Sequence, residues 1–369
     1  MKILFCGISV PENVEHQVKN ISAAGNRFQN NMIQNLRKLG HDLTVISYVA
    51  MQIPQHLLKE FKNTSQQKYV IRKSTGTADT LKAIQECREN VKKLLPSCDA
   101  VIAYNAFYSF MFLPRMVRAA GKKSILILAD YSGKECYSNV KGKMYATLQE
   151  KVIRKYTTVV GLSANIEKKL QKEQKFVLLE GGIDREFYNR FSLKQHKENE
   201  PITFMYSGLL SKVTGVDVLL DEMLNSKEKN VELWLSGKGE LEEAVKAAEK
   251  DSRIKYLGHM KYAEYMEKLQ NADVLINPRN MSLPENQNNF PSKIMDYLAV
   301  GKPIVSTKFI GWEKFQKEII FYEDDLAEVM HKIYIRLNRD TEWQKQTFIQ
   351  NRSRAEEYLW DHQIEKILE

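Results

Sequence analysis

A chain of 369 residues is too long for one ordinary core and divides most simply into two domains of roughly 150–200 residues. Its 43% hydrophobic and 10% aromatic content excludes bulk disorder, and no stretch approaches the roughly 18 apolar residues of a membrane-spanning helix. The formal charge of +9 is unevenly spread: residues 1–170 hold 26 Lys and Arg against 12 Asp and Glu, and the rest holds 29 against 34. A basic half beside a mildly acidic one suggests that the first half faces something anionic, such as lipid headgroups or nucleic acid. A solvated, lysine-rich surface is the plain alternative.

The opening MKILFCGISVPENV carries an apolar run too short for a signal peptide and reads as a first buried strand. From Arg27 to Leu39 the apolar residues Phe28, Met32, Leu36 and Leu39 form a helical stripe, and Gly40 follows as a stop. Further strand runs are DLTVISY, KYVIR, DAVIAYN, SILILAD and TVVGLS, then ITFMYSG, VELWLSG, IKYLG, DVLINP and PIVST, with helical segments such as Glu240–Lys250 and Ala263–Gln270 between them. Strand–helix alternation of this kind implies α/β domains, each a parallel sheet covered on both faces, and two such series imply two doubly wound, Rossmann-like domains. The polar, aperiodic RFSLKQHKENEP (190–201) serves as the linker. The expected division is 1–190, 191–345 and a C-terminal helix over 346–369 that packs back on the first domain. Cys6, Cys87, Cys98 and Cys136 lack metal-ligand spacing and read as reduced thiols of a cytoplasmic protein.

In open α/β sheets ligands bind where strands run into helices, so the loops after strands carry the chemistry. SAAGNRF places Gly25 and Asn26 near the start of the first helix, a weak anion signal on its own. YSGLLSKVTGVDVLL sets Ser207, Gly208, Ser211, Lys212 and Thr214 on a strand-to-helix loop, a composition suited to phosphate oxygens although no Walker loop is present. LSGKGELEE repeats the arrangement with Gly237, Lys238 and Gly239, and YLGHMKYAEYMEKL supplies Gly258, His259 and Met260, whose backbone could read a base edge. NPRNMSLPENQNNFPSKIMDYL gathers Asn277, Arg279, Glu285, Asn288, Asn289, Phe290, Ser292 and Lys293 ahead of Asp296. Free N–H groups from Phe290 to Lys293, the helix dipole and one ammonium make this the strongest phosphate-type site in the chain. No D-x-D pair and no His/Asp/Glu cluster with metal spacing occurs, so no metal cofactor is expected.

As a set, these segments resemble the retaining GT-B glycosyltransferases of family 4, a bacterial polysaccharide-type glycosyl transferase group, over nearly the whole chain. SAAGNRFQNNMIQNLRKLGHDLTVIS is similar to the family's glycine loop and first helix. VVGLSANIEKKL with FVLLEGGIDREFY is similar to the segment closing the first domain, Gly182, Asp184 and Tyr188 standing in the matching places. YSGLLSKVTGVDVLL looks like the first donor loop, and NNFPSKIMDYLAVGKPIVS like the E-x7-E segment. The resemblance implies a GT-B fold: two Rossmann-like domains facing across a cleft, with a C-terminal helix crossing back to the first. It implies transfer of a sugar from a UDP- or GDP-linked donor to an acceptor hydroxyl. The departures are chemical. Leu209 and Thr214 stand where the family has Arg and Lys, leaving Lys212 and Lys293 as the nearby cations, and the two acids are replaced by Asn288 and Asp296. Asp296 would accept bonds from the ribose. Asn288 would hold sugar hydroxyls and, as a neutral amide, cannot be a carboxylate nucleophile; Glu285 is the other group that could lean toward the sugar.

Departure of the donor diphosphate develops negative charge that lysines and N–H donors stabilise, and front-face attack needs no strong base. Asp130 matches the region of a catalytic or acceptor-orienting residue, equally readable as a turn-forming Asp. Asn105 lies at the neighbouring strand end with Tyr104. Arg115, Arg118, Lys122, Lys123, Lys141, Lys143, Lys151, Arg154 and Lys155, with Phe107, Phe110, Met111 and Phe112 nearby, suit a peripheral contact with an anionic membrane. The resemblance implies, for members that build bacterial surface polysaccharides, lipid or polyprenyl-diphosphate-linked acceptors at the inner membrane face. The rival readings are a nucleotide-sugar 2-epimerase of similar fold and a non-catalytic bilobal binding protein; no nucleic-acid-reading motif is present.

Overall fold

The apolar runs bounded by Gly, Asp and Pro become short parallel strands, the central ones buried on both faces and the edge strands Gln67–Ile71 and Ile254–Tyr256 only in part. The computed structural model describes every residue except 19–20, 51–52, 199, 324 and 369. Contacts divide the chain into Met1–Gly182 with Trp360–Glu369, and Ile183–Leu359.

The first unit contains β1 (Lys2–Gly7), α1 (Ala23–Lys38), β2 (Asp42–Val49), β3 (Gln67–Ile71), α2 (Thr77–Leu94), β4 (Ala100–Tyr104), α3 (Leu113–Ala119), β5 (Lys123–Leu128), α4 (Val140–Ile153), β6 (Thr158–Gly161) and β7 (Lys175–Leu178). Its sheet runs β3-β2-β1-β4-β5-β6-β7, with Phe5 opposite Val45 on one side and Ile102 on the other. Ser22 caps α1 by accepting the Gly25 N–H, and Gly40, at φ +82°, follows its end.

The second unit contains α5 (Arg185–Asn189), β8 (Ile202–Ser207), α6 (Val216–Asn225), β9 (Val231–Ser236), α7 (Glu242–Ala248), β10 (Ile254–Tyr256), α8 (Tyr262–Asn271), β11 (Val274–Asn277), α9 (Lys293–Val300), β12 (Ile304–Thr307), β13 (Ile319–Tyr322), α10 (Leu326–Arg339) and α11 (Thr341–Glu356). Its sheet runs β10-β9-β8-β11-β12-β13. The chain winds outward from β1 to β3 and from β8 to β10, then returns to the other side of the starting strand. Loops leaving β1 and β4, and those leaving β8 and β11, therefore diverge, which opens a crevice at the carboxyl ends of each pair.

Beyond residue 359, α12 (Trp360–Gln363) and α13 (Glu365–Leu368) belong to the first unit. The Trp360 indole covers Gly182, where a Cβ would lie 2.2 Å from Cε2, and meets the Phe28 ring of α1 edge-on at 5.0 Å. The Lys123 ammonium donates to the Leu368 carbonyl at 2.6 Å. Gly182, Asp184 and Tyr188 thus have architectural roles: a seat for Trp360, a cap on the Phe187 N–H at 2.9 Å, and a ring stacked 3.5 Å from the Arg352 guanidinium.

Two edge strands, β7 and β13, were not among the runs expected from sequence; each is four residues long. The contact boundaries fall at 182/183 and 359/360, where the sequence reading places 190/191 and 345/346. The polar segment around 192–197 is fastened to the second unit. Ser192 exchanges hydrogen bonds with Gln270, His196 Nδ1 lies 3.2 Å from Asp273, and the Lys302 ammonium donates to the Lys194 carbonyl at 2.6 Å. α11 packs on α9 and holds the Lys302 carbonyl through Asn351 at 2.8 Å, so it stays with the second unit.

Burial pushes Lys302 down to about 8, with Asp273 opposing the shift and Lys194 adding to it. Between about pH 8 and 10.5 the unfolded chain binds the proton that the folded chain has lost, so this lysine makes stability rise with pH in that window and costs on the order of 3 kcal/mol below it. Lys302→Met is expected to flatten the rise, measured as Tm against pH for both proteins. Parallel curves would contradict it.

Candidate functional site

The loops after β8, β9 and β10 are joined backbone to backbone. Gly208 N–H donates to the Ser236 carbonyl at 2.8 Å, Leu210 N–H to Lys238 at 2.9 Å, and Gly237 N–H to Gly258 at 2.9 Å. Such close approach excludes side chains: a Cβ on Gly237, at φ +133°, would lie 1.7 Å from the Gly208 carbonyl oxygen. The loop leaving β11 is tied to the same ledge, because the buried Asn286 amide donates to Val213 at 2.7 Å and to Asn280 at 2.6 Å. The two sides of the β8/β11 crevice therefore form one frame.

Lys293, the first residue of α9, reaches onto that frame. Its Nζ lies 4.9 Å from the Tyr206 ring centroid, and a Cβ on Gly208, at φ +153°, would fall 2.6 Å from it. Among the described residues it pairs with no carboxylate. An ammonium half-buried over an aromatic face without a counter-ion is a ready anion receptor. At the start of α9, Ile294 N–H is taken by Pro291 at 2.9 Å and Met295 N–H by Ser292 at 3.2 Å. Pro291 has no N–H to offer, which corrects the expectation of a continuous series from Phe290 to Lys293. Among the described residues the amides of Ser292 and Lys293 donate to no acceptor, and the exposed Ser292 hydroxyl makes no cap.

Asn288 is 6% exposed, and its side-chain amide bonds to no described residue. Its polar atoms are not among the fully enclosed ones that lack a partner, so they reach accessible space, which makes Asn288 a candidate contact. Asp296, one turn into α9, accepts the Tyr265 phenol of α8 at 3.1 Å. Neither Tyr206 nor Tyr265 stands out in the sequence, where each shares the spacing of core-type apolar residues and carries no separate signal.

Other expected residues are placed differently. Thr214 is buried, its hydroxyl bonding Leu209 at 2.7 Å and Ser211 at 2.9 Å, so it shapes the loop. Phe290 lies in an aromatic cluster with Phe309 at 5.3 Å and Phe315 at 6.0 Å. Asn289 donates to the Glu285 carbonyl at 2.9 Å. Lys212, Lys238 and His259 are exposed, Met260 is half-buried, and Leu209 is 56% exposed, leaving Lys293 as the cation nearest Gly208. Among the described residues, no three His, Cys, Asp or Glu side chains converge as a metal ion would require.

A separate polar group sits at the carboxyl ends of β4 and β5 in the first unit. Asn105 follows β4 at φ +54°, the one described non-glycine residue in the left-handed region. Its oxygen accepts the N–H groups of Ala129 at 2.8 Å and Asp130 at 3.1 Å, and its amide donates to the Asp130 carboxylate at 3.2 Å. Asp130 is therefore aimed by its neighbour. Burial first, and the Asp130 charge second, push the Tyr104 phenol far above its usual range, so it remains an O–H donor. Its oxygen stands 3.2 Å from where a Gly25 Cβ would be. Asn26 is occupied with the Val10 N–H at 2.8 Å and Glu15 at 2.6 Å. Arg115 and Arg118 are exposed on α3.

Residues 201–338 match the family model described as glycosyl transferases group 1, which spans β8 to most of α10. Solved structures similar to the whole chain include a sucrose-phosphate synthase from Thermosynechococcus elongatus (12% identity, TM-score 0.73, covering 100% of this chain and 97% of the other). A glycosyltransferase from Rickettsia africae gives 15%, 0.69, 100% and 97%, and Anabaena HepE in complex with UDP-glucose gives 15%, 0.67, 100% and 99%. At these identities the likeness establishes the fold, the two-unit α/β architecture of GT-B glycosyltransferases. No curated protein sequence matches the chain.

Replacing Asn105 removes its three bonds whatever follows, but only glycine relieves the positive φ. Asn105→Ala should be less stable than Asn105→Gly by about 1 kcal/mol in urea unfolding. Equal stability would mean that the backbone there is unstrained.

Proposed function

We propose that the protein is a retaining glycosyltransferase that moves a sugar, without a divalent metal, from a UDP- or GDP-linked donor to an acceptor hydroxyl. The reading places it in surface polysaccharide or glycolipid synthesis, in the cytoplasm or peripherally on the inner face of a membrane. The observation that carries it is the Lys293 ammonium above Gly208, without a carboxylate partner among the described residues, beside two amides at the head of α9 that find no acceptor among them. A diphosphate leaving group accumulates negative charge as its bond to the sugar breaks, and donors fixed in advance lower the barrier where that charge appears. The group 1 match over 201–338 and the UDP-glucose complex of the Anabaena protein support a nucleotide-sugar donor.

Asp296 carries the ribose hydroxyls, and the Asn288 amide holds a hydroxyl of the transferred sugar. Asn288 cannot form a glycosyl ester, so retention comes from attack on the face the diphosphate leaves, its oxygen receiving the acceptor proton. Asp130, steadied by Asn105, orients the acceptor hydroxyl. Loss of the amide at Asn288 should act on the sugar and spare the nucleotide.

The first test is a thermal-shift titration with UDP and with GDP in the presence of a chelator. One of them should raise Tm, and Lys293→Ala should weaken its binding roughly 10–100-fold. Asn288→Ala should retain nucleotide affinity and lower turnover. No shift with either nucleotide would reject the donor site. Sugar epimerisation without an acceptor would favour the 2-epimerase reading.

A further inference from the structure

We infer that α4 is a membrane-docking helix whose Val140, Met144 and Leu148 side chains enter an anionic lipid surface and set the acceptor residues beside it. This rests on the proposed sugar transfer at the inner face of a membrane and names the element that would reach that surface. Val140 is 73% exposed, Met144 67% and Leu148 49%. Spaced four residues apart, they form one stripe along the helix. The opposite face is apolar too: Ala146 and Ile153 are buried in the first unit, and so is Val152, where the row of four has drifted around the helix and turned inward. An ordinary surface helix needs one apolar face, so the outward stripe has no use in this unit's core.

The stripe has a basic rim. Lys141 and Lys143 flank it on either side, and Lys151, Arg154 and Lys155 continue along its line; all are exposed and, among the described residues, none pairs with a carboxylate. Apolar side chains framed by lysines complement the acyl–headgroup boundary of an anionic bilayer. Of the four apolar residues that the sequence offers for insertion, three are committed elsewhere. Phe110 is in the core, and Met111 and Phe112 pack against it.

The inner side of α4 connects this surface to the acceptor residues. Gln149 donates to the Ala106 carbonyl at 3.1 Å, next to Asn105, and Glu150 accepts the Tyr131 phenol at 3.1 Å, next to Asp130. A helix resting in the headgroups therefore holds Asn105 and Asp130 close to the lipid surface. The acceptor this favours is a hydroxyl on a headgroup or on a short glycan joined to a membrane-embedded chain.

The test sediments the full-length protein with vesicles of phosphatidylcholine alone and of phosphatidylcholine mixed with phosphatidylglycerol. The wild type should bind the mixed vesicles, less so as salt is raised, and leave the neutral ones. Met144→Glu with Leu148→Glu should weaken binding more than tenfold. Lys141→Gln with Lys143→Gln should weaken it by about 30-fold, at about fivefold per lysine. Leu81→Glu, at an equally exposed position on α2, should change nothing, and all variants should keep the wild-type Tm and nucleotide shift. Unchanged binding by the Met144/Leu148 variant would overturn the assignment of α4 while leaving a membrane contact standing. Failure of the wild type to bind mixed vesicles would overturn both. Self-association relieved by the same variant would show a second copy to be the occupant and overturn the proposal. A missing nucleotide shift with vesicle binding intact would count against the donor site alone.

Discussion

The Lys293 ammonium lies where a side chain on residue 208 would otherwise project, and the second unit is arranged to keep that space clear. Gly208 sits at φ +153°, which side-chain-bearing residues rarely adopt, with the mobile tip of Lys293 beside it, and Gly237 must be a glycine because the Gly208 carbonyl presses against it. Close backbone packing of neighbouring loops carries no affinity of its own. Its effect is to hold a charge in place before any ligand arrives, so that little reorganisation is needed when negative charge develops. The strand order supplies the setting, since a crevice between β8 and β11 follows from the point where the winding reverses.

Where the sequence carried a periodic signal, the fold could be read from it. The expected central strands formed, and Gly40 follows α1 in the left-handed conformation. The edge strands β7 and β13 went unread although β6, β11 and β12, also four residues long, were legible, so length alone does not account for them. The segment around 192–197 read as a free linker because polar, aperiodic composition is blind to fastening. What fastens it is side-chain chemistry across distant positions: His196 with Asp273, and Lys302 with a carbonyl.

The site was legible as motifs and not as geometry. Lys293 and Gly208 were both selected, 85 residues apart, with nothing to say that they touch. Thr214 and Phe290 have the right residue types on the right loops, yet one hydroxyl is spent inside its own loop and the other ring is packed among phenylalanines. Tyr265 was invisible because a tyrosine on an amphipathic helix reads as core until its hydroxyl is seen to end on Asp296. In the first unit Asn105 and Asp130 were chosen separately; the strained backbone at Asn105 is what makes them one device.

The seating of Trp360 on Gly182 has a consequence for biosynthesis. Residues 1–182 leave the ribosome first, but the indole that closes their surface is encoded 178 positions later. At ordinary elongation rates of about 5–20 residues per second, the interval is roughly 10–40 s. Throughout that time the Phe28 edge and the bare Gly182 backbone stand open to the solvent or to a chaperone. The half of the protein that is made first is therefore completed last.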